Sequence, residues 1–270
     1  RVAMCLARAG FHPAGHPVRI LDPKCVAKTF PEYFEALFSV VQTPIANIPV
    51  ICVDGPTASG KGTLAAALAQ RLGYHFLDSG ALYRITALAA TRAGLRLDGA
   101  DEAAIAQLVG QLDIRFAGGR IMLGDENVSE LVRTEEMGMN ASRVSALVAV
   151  RQALIELQHA ARRLPGLVAD GRDMGTVIFP QAPLKVYLTA SAAKRAQRRH
   201  KQLISKGIAT TIAGLRQDLE ARDARDSNRS TAPLIAAKDA RLLDNSELTV
   251  EESVDAVLDW WQGLQPFHSL

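Results

Sequence analysis

The sequence predicts an α/β fold: a five-stranded parallel sheet with helices on both faces and a small antiparallel insertion. Three observations predict it. Five short apolar runs of strand character fall at 50–54, 75–77, 167–170, 184–188 and 241–243. Helical patterns at 62–72, 145–163 and 192–205 separate most of them, and strands alternating with helices build a parallel sheet covered on both sides. One pair of runs, 113–116 and 120–123, breaks the alternation. It flanks Ala117, Gly118 and Gly119 and reads as a hairpin lying outside the central sheet.

From the N-terminus, the chain opens on Arg rather than Met, as a fragment or cut product would, and no cationic stretch followed by an apolar segment marks a signal peptide. Residues 42–49, with Pro44, Asn47 and Pro49, read as a linker between a short piece, 1–46, and a main domain, 47–270. Residues 36–53 carry no charge, but two prolines, Gln42 and Asn47 interrupt them and the second half is a strand, so a membrane span is rejected. The three cysteines, Cys5, Cys25 and Cys52, form no CxxC pair, which argues against a disulfide framework or a zinc site. A reducing, cytoplasmic location is the expectation. At 270 residues, 48% apolar and 22% charged, the chain can bury a full core and is neither largely disordered nor collagen-like.

The first strand runs straight into Gly55-Pro56-Thr57-Ala58-Ser59-Gly60-Lys61-Gly62-Thr63 and an Ala/Leu-rich helix. Strand, glycine-bracketed loop, lysine and helix stand in the order of a P-loop. Gly55 and Gly60 let the backbone wrap so that successive N–H groups converge on a phosphate, and the helix N-terminus adds its positive end. Lys61 then reaches the outer phosphates as a mobile point charge. Gly62 stands between Lys61 and Thr63 where the general pattern has a hydroxyl residue, an ending that points to nucleoside-monophosphate kinases. A glycine-rich turn without a ligand is the alternative.

Two further blocks sit just past the carboxyl ends of strands, where open α/β sheets bind ligands: residues 77–84, LDSGALYR, and 167–176, LVADGRDMGT. Asp170 ends an apolar run, which suits a carboxylate holding Mg2+ through water. Arg172 and Asp173, side by side, could equally form a structural ion pair. Farther on, Arg222, Asp226 and Arg229 recur at four and three residues and share a helix face. They could clamp a phosphate and accept a ribose hydroxyl, or simply lace an exposed helix with ion pairs. Thr249 with Glu252 three residues on forms a capping box that opens the last helix.

The net charge of +3 hides an asymmetry: residues 194–229 hold ten Lys/Arg against four Asp/Glu, so the remainder is net negative. Such a patch suits nucleotides or nucleic acid. The same residues contain no Phe, Trp or Tyr on which bases could stack, which argues against nucleic acid.

GPTASGKGT, LDSGALYR, DGRDMGT and ARDARDSNR, in that order and spacing, resemble the bacterial cytidylate kinase family from about Ile48 to the C-terminus. The resemblance implies phosphoryl transfer from ATP to CMP or dCMP with Mg2+, by a monomeric kinase domain. It also implies a nucleotide-binding insertion near 98–133 and a mobile lid near 192–206. By the same resemblance Ser79, Arg151 and Asp173 would read the cytosine, with Tyr83 beside them. Arg84, Arg172 and Arg229 would hold the acceptor phosphate, and Ser142, Arg222 and Asp226 the ribose. The loop 55–63 would bind ATP, and Thr63 and Asp170 the metal. Lys61, Arg172, Arg195 and Arg199 would offset charge on the migrating group. Shikimate kinase is the rival; Gly62 and the insertion argue against it. The first 41 residues, through the stretch 18–34, resemble instead the C-terminal end of enolpyruvylshikimate-phosphate synthase, Arg1 and Lys28 matching anion-binding positions there. Most of that enzyme is missing, so no synthase activity is expected.

Overall fold

The computed structural model describes residues 2–7, 18, 20, 23–41, 43–117, 120–205 and 207–265. Arg1, Gln42, the Gly118 and Gly119 turn, Lys206 and parts of the synthase-like stretch lie outside them. The N-terminal piece holds α1 (Val2–Ala7) and α2 (Tyr33–Val40), and Tyr33 Oη donates to Met4 O across 2.7 Å. No residue of α2 is buried, although Val26 before it is. Lys28 is exposed.

The main sheet contains β1 (Val50–Asp54), β2 (His75–Asp78), β6 (Leu167–Gly171), β7 (Leu184–Thr189) and β8 (Arg241–Asp244), in the order β2-β6-β1-β7-β8 with every pairing parallel. The register places Val53 beside Asp170 and Asp78 beside Asp170, so three strands end level. β1 and β6 are buried along their whole lengths, as central strands covered on both faces must be. On one face pack α3 (Lys61–Leu72) and α10 (Val250–Gln262) around Leu64, Leu68, Val257 and Trp261. On the other, α4 (Ser79–Arg92), α5 (Glu102–Val109) and α7 (Val148–Ala160) pack around Leu82, Ile105, Leu154 and Met174. The Thr249–Glu252 capping box is present at the start of α10.

The insertion is a three-stranded antiparallel sheet, β3 (Ile114–Ala117), β4 (Arg120–Leu123) and β5 (Glu126–Asn127), with a core of its own against α4. Five helices among the described residues, α1, α2, α4, α5 and α6 (Glu135–Val144), are not marked by the sequence pattern. α4 starts where Asp78 Oδ1 accepts the Ala81 N–H, and α6 starts where Thr134 caps Met137. The helix expected over 145–163 is shorter at both ends, because residues 145–147 form the turn out of α6. Finally α8 (Ala192–Ile204) and α9 (Ile212–Asn228) form a hairpin joined by Ala196, Leu203, Leu215 and Leu219, with Ala58 of the glycine loop against them. No helix among the described residues is long and apolar enough to cross a membrane.

Candidate active site

The loop after β1 is pressed against the sheet. A Cβ at Gly55 would stand 2.1 Å from Leu188 O, so only glycine fits there, and Gly60 turns into α3 with φ of +92°. Lys61 opens α3 and folds back beneath the loop. Its Nζ donates to Pro56 O at 3.3 Å and lies 4.0 Å from Asp170 Oδ1. Burial and the nearby Arg172 hold the Lys61 ammonium below its ordinary range, while burial raises the Asp170 carboxyl. Each charge is the other's main compensation.

Two cavities meet above this pair. The larger, about 570 Å³, is lined by Ser79, Tyr83, Ser142, Arg151, Asp173 and Arg229, with Lys61 and Asp170 on its floor. The second, about 470 Å³, lies along the start of α3 and is lined by Gly60, Thr63, Arg198, Asn245 and Thr249. Thr57, Ala58, Arg84, Glu135, Arg199, Gln202 and Arg222 line both. They form the junction, and of them only Glu135 carries a negative charge.

The larger cavity is a cage of ion pairs. Arg151 donates through Nη2 to Asp173 Oδ2 and sits 5.8 Å from the Tyr83 ring centroid. Burial pushes the Tyr83 phenol up to about 12. Arg172 donates not to its neighbour Asp173 but to Asp226 Oδ2 at 3.1 Å and to Thr57 Oγ1 at 2.9 Å. Asp226 Oδ1 accepts from Ser142 Oγ at 3.1 Å, and Arg84 donates to Val132 O at 2.7 Å. Arg229 donates to Ser145 Oγ at 3.1 Å, leaving its Nη2 without a hydrogen bond, and Arg222 Nε is likewise buried and unpartnered. Burial first, then Arg172 and Arg84, bring the Arg222 guanidinium down to about 10. Carboxylates stand near both Arg229 and Arg222, Asp173 Oδ1 at 3.8 Å from the first and Glu135 Oε2 at 4.0 Å from the second, but the guanidinium donors left without hydrogen bonds suit an anion such as a phosphate.

Most of the expected residues thus converge, but three placements differ from expectation. Arg195 lines neither cavity. It is buried, and its donors go to Ala190 O, Thr57 O and Asp223 Oδ2 at 3.0, 2.8 and 2.5 Å. Asp223 also accepts the Thr57 N–H at 3.0 Å, so the Arg195–Asp223 pair grips both sides of one loop residue. Thr63 is exposed and lines only the second cavity, away from Asp170. Gly62 faces Asp170 instead, where a Cβ would come within 3.1 Å of Oδ2. An Asp170 whose Oδ1 makes no hydrogen bond, beneath a position kept clear of side chain, fits a divalent cation held through water. Third, Arg199 reaches the junction but is bound to Glu135 there.

Residues outside the expected set also contribute. Asn245 Nδ2 donates to Ser59 O at 3.0 Å, and Asn245 accepts from Arg198 at Oδ1 at 3.0 Å, joining the β8 end to the loop and the α8–α9 hairpin. Asp54, the last residue of β1, accepts the Met174 and Gly175 N–H groups at 2.8 Å each, and burial pushes its carboxyl up to about 6. No local motif announces either; both pair with residues far along the chain.

A glycine loop bordering two adjoining cavities, its lysine on the floor of the arginine-rich one, and an α-helical hairpin over their junction define a phosphate-loop kinase of the nucleoside-monophosphate type. Comparison with known proteins narrows the class. The family described as cytidylate kinase matches residues 51–262. A cytidylate kinase of Cupriavidus necator is 55% identical over 219 residues, 81% of this chain and 98% of that protein. Those of Burkholderia ambifaria and Bordetella bronchiseptica are 56% and 55% identical, covering 82% and 80% of this chain and 96% of each relative. The chain belongs to the cytidylate kinase family.

Proposed function

We propose that these side chains carry out phosphoryl transfer from ATP to CMP or dCMP, giving ADP and the nucleoside diphosphate. The observation that carries the reading is the junction, where one loop and three arginines border both cavities at once. ATP lies in the second cavity with its phosphates along 55–63, and CMP in the larger one. A phosphate oxygen of CMP attacks the γ-phosphorus while the bond from that phosphorus to the β–γ bridging oxygen breaks, and ADP leaves with the electron pair. The acceptor is already an ionised monoester, so no strong general base is required; the protein aligns the two nucleotides and offsets charge.

Lys61 follows the outer phosphates of ATP. Arg172, Arg84 and Arg229 hold the CMP phosphate, Ser142, Arg222 and Asp226 the ribose. Ser79, Arg151 and Asp173 read the base with Tyr83 beside it. An ionised carboxylate only accepts, so Asp173 bonds the cytosine amino group but meets the uracil carbonyl with an unmatched lone pair. Mg2+, held through water by Asp170, would neutralise charge on the donor phosphates when bound. Arg199 serves the migrating group after leaving Glu135, whereas Arg195 acts from behind by fixing Thr57. Closure of α8 and α9 excludes water and suppresses ATP hydrolysis. Residues 1–46 are read as a segment apart from this kinase, a reading supported by the absence of buried residues on α2.

The test is an acceptor screen with Mg-ATP across CMP, dCMP, UMP, AMP and shikimate. Preference for CMP and dCMP is expected. Equal use of UMP would remove the base-reading assignment, and use of shikimate alone would overturn the acceptor.

A further inference from the structure

An aspartate at the first position of a helix normally turns its carboxylate back onto the free N–H groups of the first turn. Asp173 occupies that position ahead of the π-helical turn Met174–Ile178, with its own C=O accepting from Val177 N at 2.9 Å and Ile178 N at 3.2 Å, yet its side chain makes no such bond. Its carboxylate points instead into the larger cavity, bonded to Arg151 through Oδ2, with Oδ1 3.8 Å from Arg229 Nη2. The N–H groups of Met174 and Gly175 are not left bare. Asp54 takes both, one on each carboxylate oxygen at 2.8 Å, from the end of the adjacent strand β1. Asp54 is 5% exposed and lines neither cavity.

We infer that Asp54 is a positioning residue for acceptor choice: it caps the turn in place of Asp173 and so leaves the Asp173 carboxylate free to face the base. The inference rests on the reading of Asp173 as the cytosine reader. The geometry supports one arrangement. Gly175 gives the approach room, since a Cβ there would lie 3.4 Å from Asp54 Oδ2 and 3.0 Å from Lys185 Cδ. Met174, fully buried, anchors the turn from the other side. Without Asp54, two buried donors lose their acceptor, and Asp173, at the head of the same turn, is the residue whose side chain a cap would ordinarily use. A buried N–H left unpaired is costly, so the side chain is drawn out of the cavity. Because Asp54 directly precedes the phosphate loop, one strand end then sets both halves of the site: the loop by its backbone and the base reader by its carboxylate.

The test uses Asp54→Asn, Asp173→Asn and the double variant, with kcat and KM measured for CMP, UMP and ATP. Asparagine keeps the shape but offers one acceptor where two are needed. Asp54→Asn is expected to raise KM for CMP and to lower the CMP-over-UMP ratio of kcat/KM by about tenfold or more, the worth of a charge-assisted buried hydrogen bond, with KM for ATP little changed. In the Asp173→Asn background the same substitution should shift the ratio by less than about twofold, because the two act through one carboxylate. An equal rise in KM for ATP and CMP, or independent multiplying effects on the ratio, overturns the inference and leaves Asp54 a structural group. A ratio that falls in Asp173→Asn but not in Asp54→Asn also overturns it, with the base-reading role intact. A ratio unmoved in Asp173→Asn removes the base-reading role and this inference together. If Asp54→Asn does not fold, Asp54→Ala, which removes both acceptors without adding a donor, is read by the same criteria.

Discussion

Replacing Lys61 by methionine keeps most of the side chain's length and removes its charge, which separates two consequences of one buried ion pair. Lys61 Nζ and Asp170 Oδ1 are 4.0 Å apart, with both side chains about nine-tenths buried. At an effective dielectric of about 20, charges at that separation attract by about 4 kcal/mol, in line with the ~3–5 kcal/mol lost when one partner of a buried pair is deleted. For a domain of this size that corresponds to a fall in melting temperature of roughly 10 °C. The sign of the pH effect follows from Asp170. Burial already raises its carboxyl, and losing Lys61 raises it further. A carboxyl raised in the folded state costs stability progressively as the pH rises from its unfolded pKa through its folded pKa, so a further rise in the variant adds its cost only above the wild-type folded pKa. In metal-free buffer the deficit of Lys61→Met relative to wild type should therefore be largest at pH 8 and shrink toward pH 5. Lys61→Met/Asp170→Asn should melt close to wild type at both values. Activity should not follow stability: both variants are expected to lose at least ~10²-fold in kcat, as when one preorganised charge-stabilising donor is removed. Scanning calorimetry and an ADP-release assay at saturating CMP measure the two arms. A kcat within tenfold of wild type would refute the assignment of Lys61 to the migrating phosphoryl group. A double variant that melts no higher than Lys61→Met would refute the ion-pair account.

Other outcomes follow from named contacts. Arg195→Met removes the grip on Thr57 and should raise KM for ATP and lower the melting temperature, with Asp223→Asn doing the same and the double variant adding little; additive effects would mean the two do not act as a pair. Glu135→Gln releases Arg199 and Arg222 from their resident carboxylate, so KM for both nucleotides should fall, by about twofold to tenfold for a partly exposed pair. An increase in either KM would place Glu135 among groups that assist binding. A chain beginning at Ala46 should retain wild-type kcat/KM for CMP, and aggregation or loss of activity would show that the preceding residues complete the kinase core.

The central strands β1 and β6 were legible because each is a short apolar run reaching an aspartate, and a parallel sheet buries such runs on both faces; the edge strands β2 and β8 are only partly buried. Helices α4 and α6 were less so. On α6 the buried face mixes Gly138, Asn140 and Ser142 with the core residues Met137, Ala141 and Val144, since it borders the cavity as well as a core, and the apolar period is diluted by polar and small residues. Side-chain pairing was the least legible part. Arg172 and Asp173 are neighbours in sequence, but the strand end sends them to partners 54 and 22 residues away, Asp226 and Arg151. Arg195 and Arg199 share one face of α8, yet one helical turn separates a buried clamp from a residue at the junction. Spacing gives the face of a helix and not what packs against it.

Because Thr57, Arg84, Arg199 and Arg222 border both cavities, the proposed donor and acceptor sites share side chains and are not independent parts of the protein. On the proposed reading, whichever nucleotide enters first detaches Arg199 from Glu135 and orders the shared arginines, and the second then meets side chains already in place. Thermodynamic linkage makes the benefit mutual: the factor by which a non-hydrolysable ATP analogue tightens CMP binding equals the factor by which CMP tightens the analogue. The wall between the cavities is therefore also the coupling between them, and affinities for either nucleotide acquire meaning only at a stated concentration of the other.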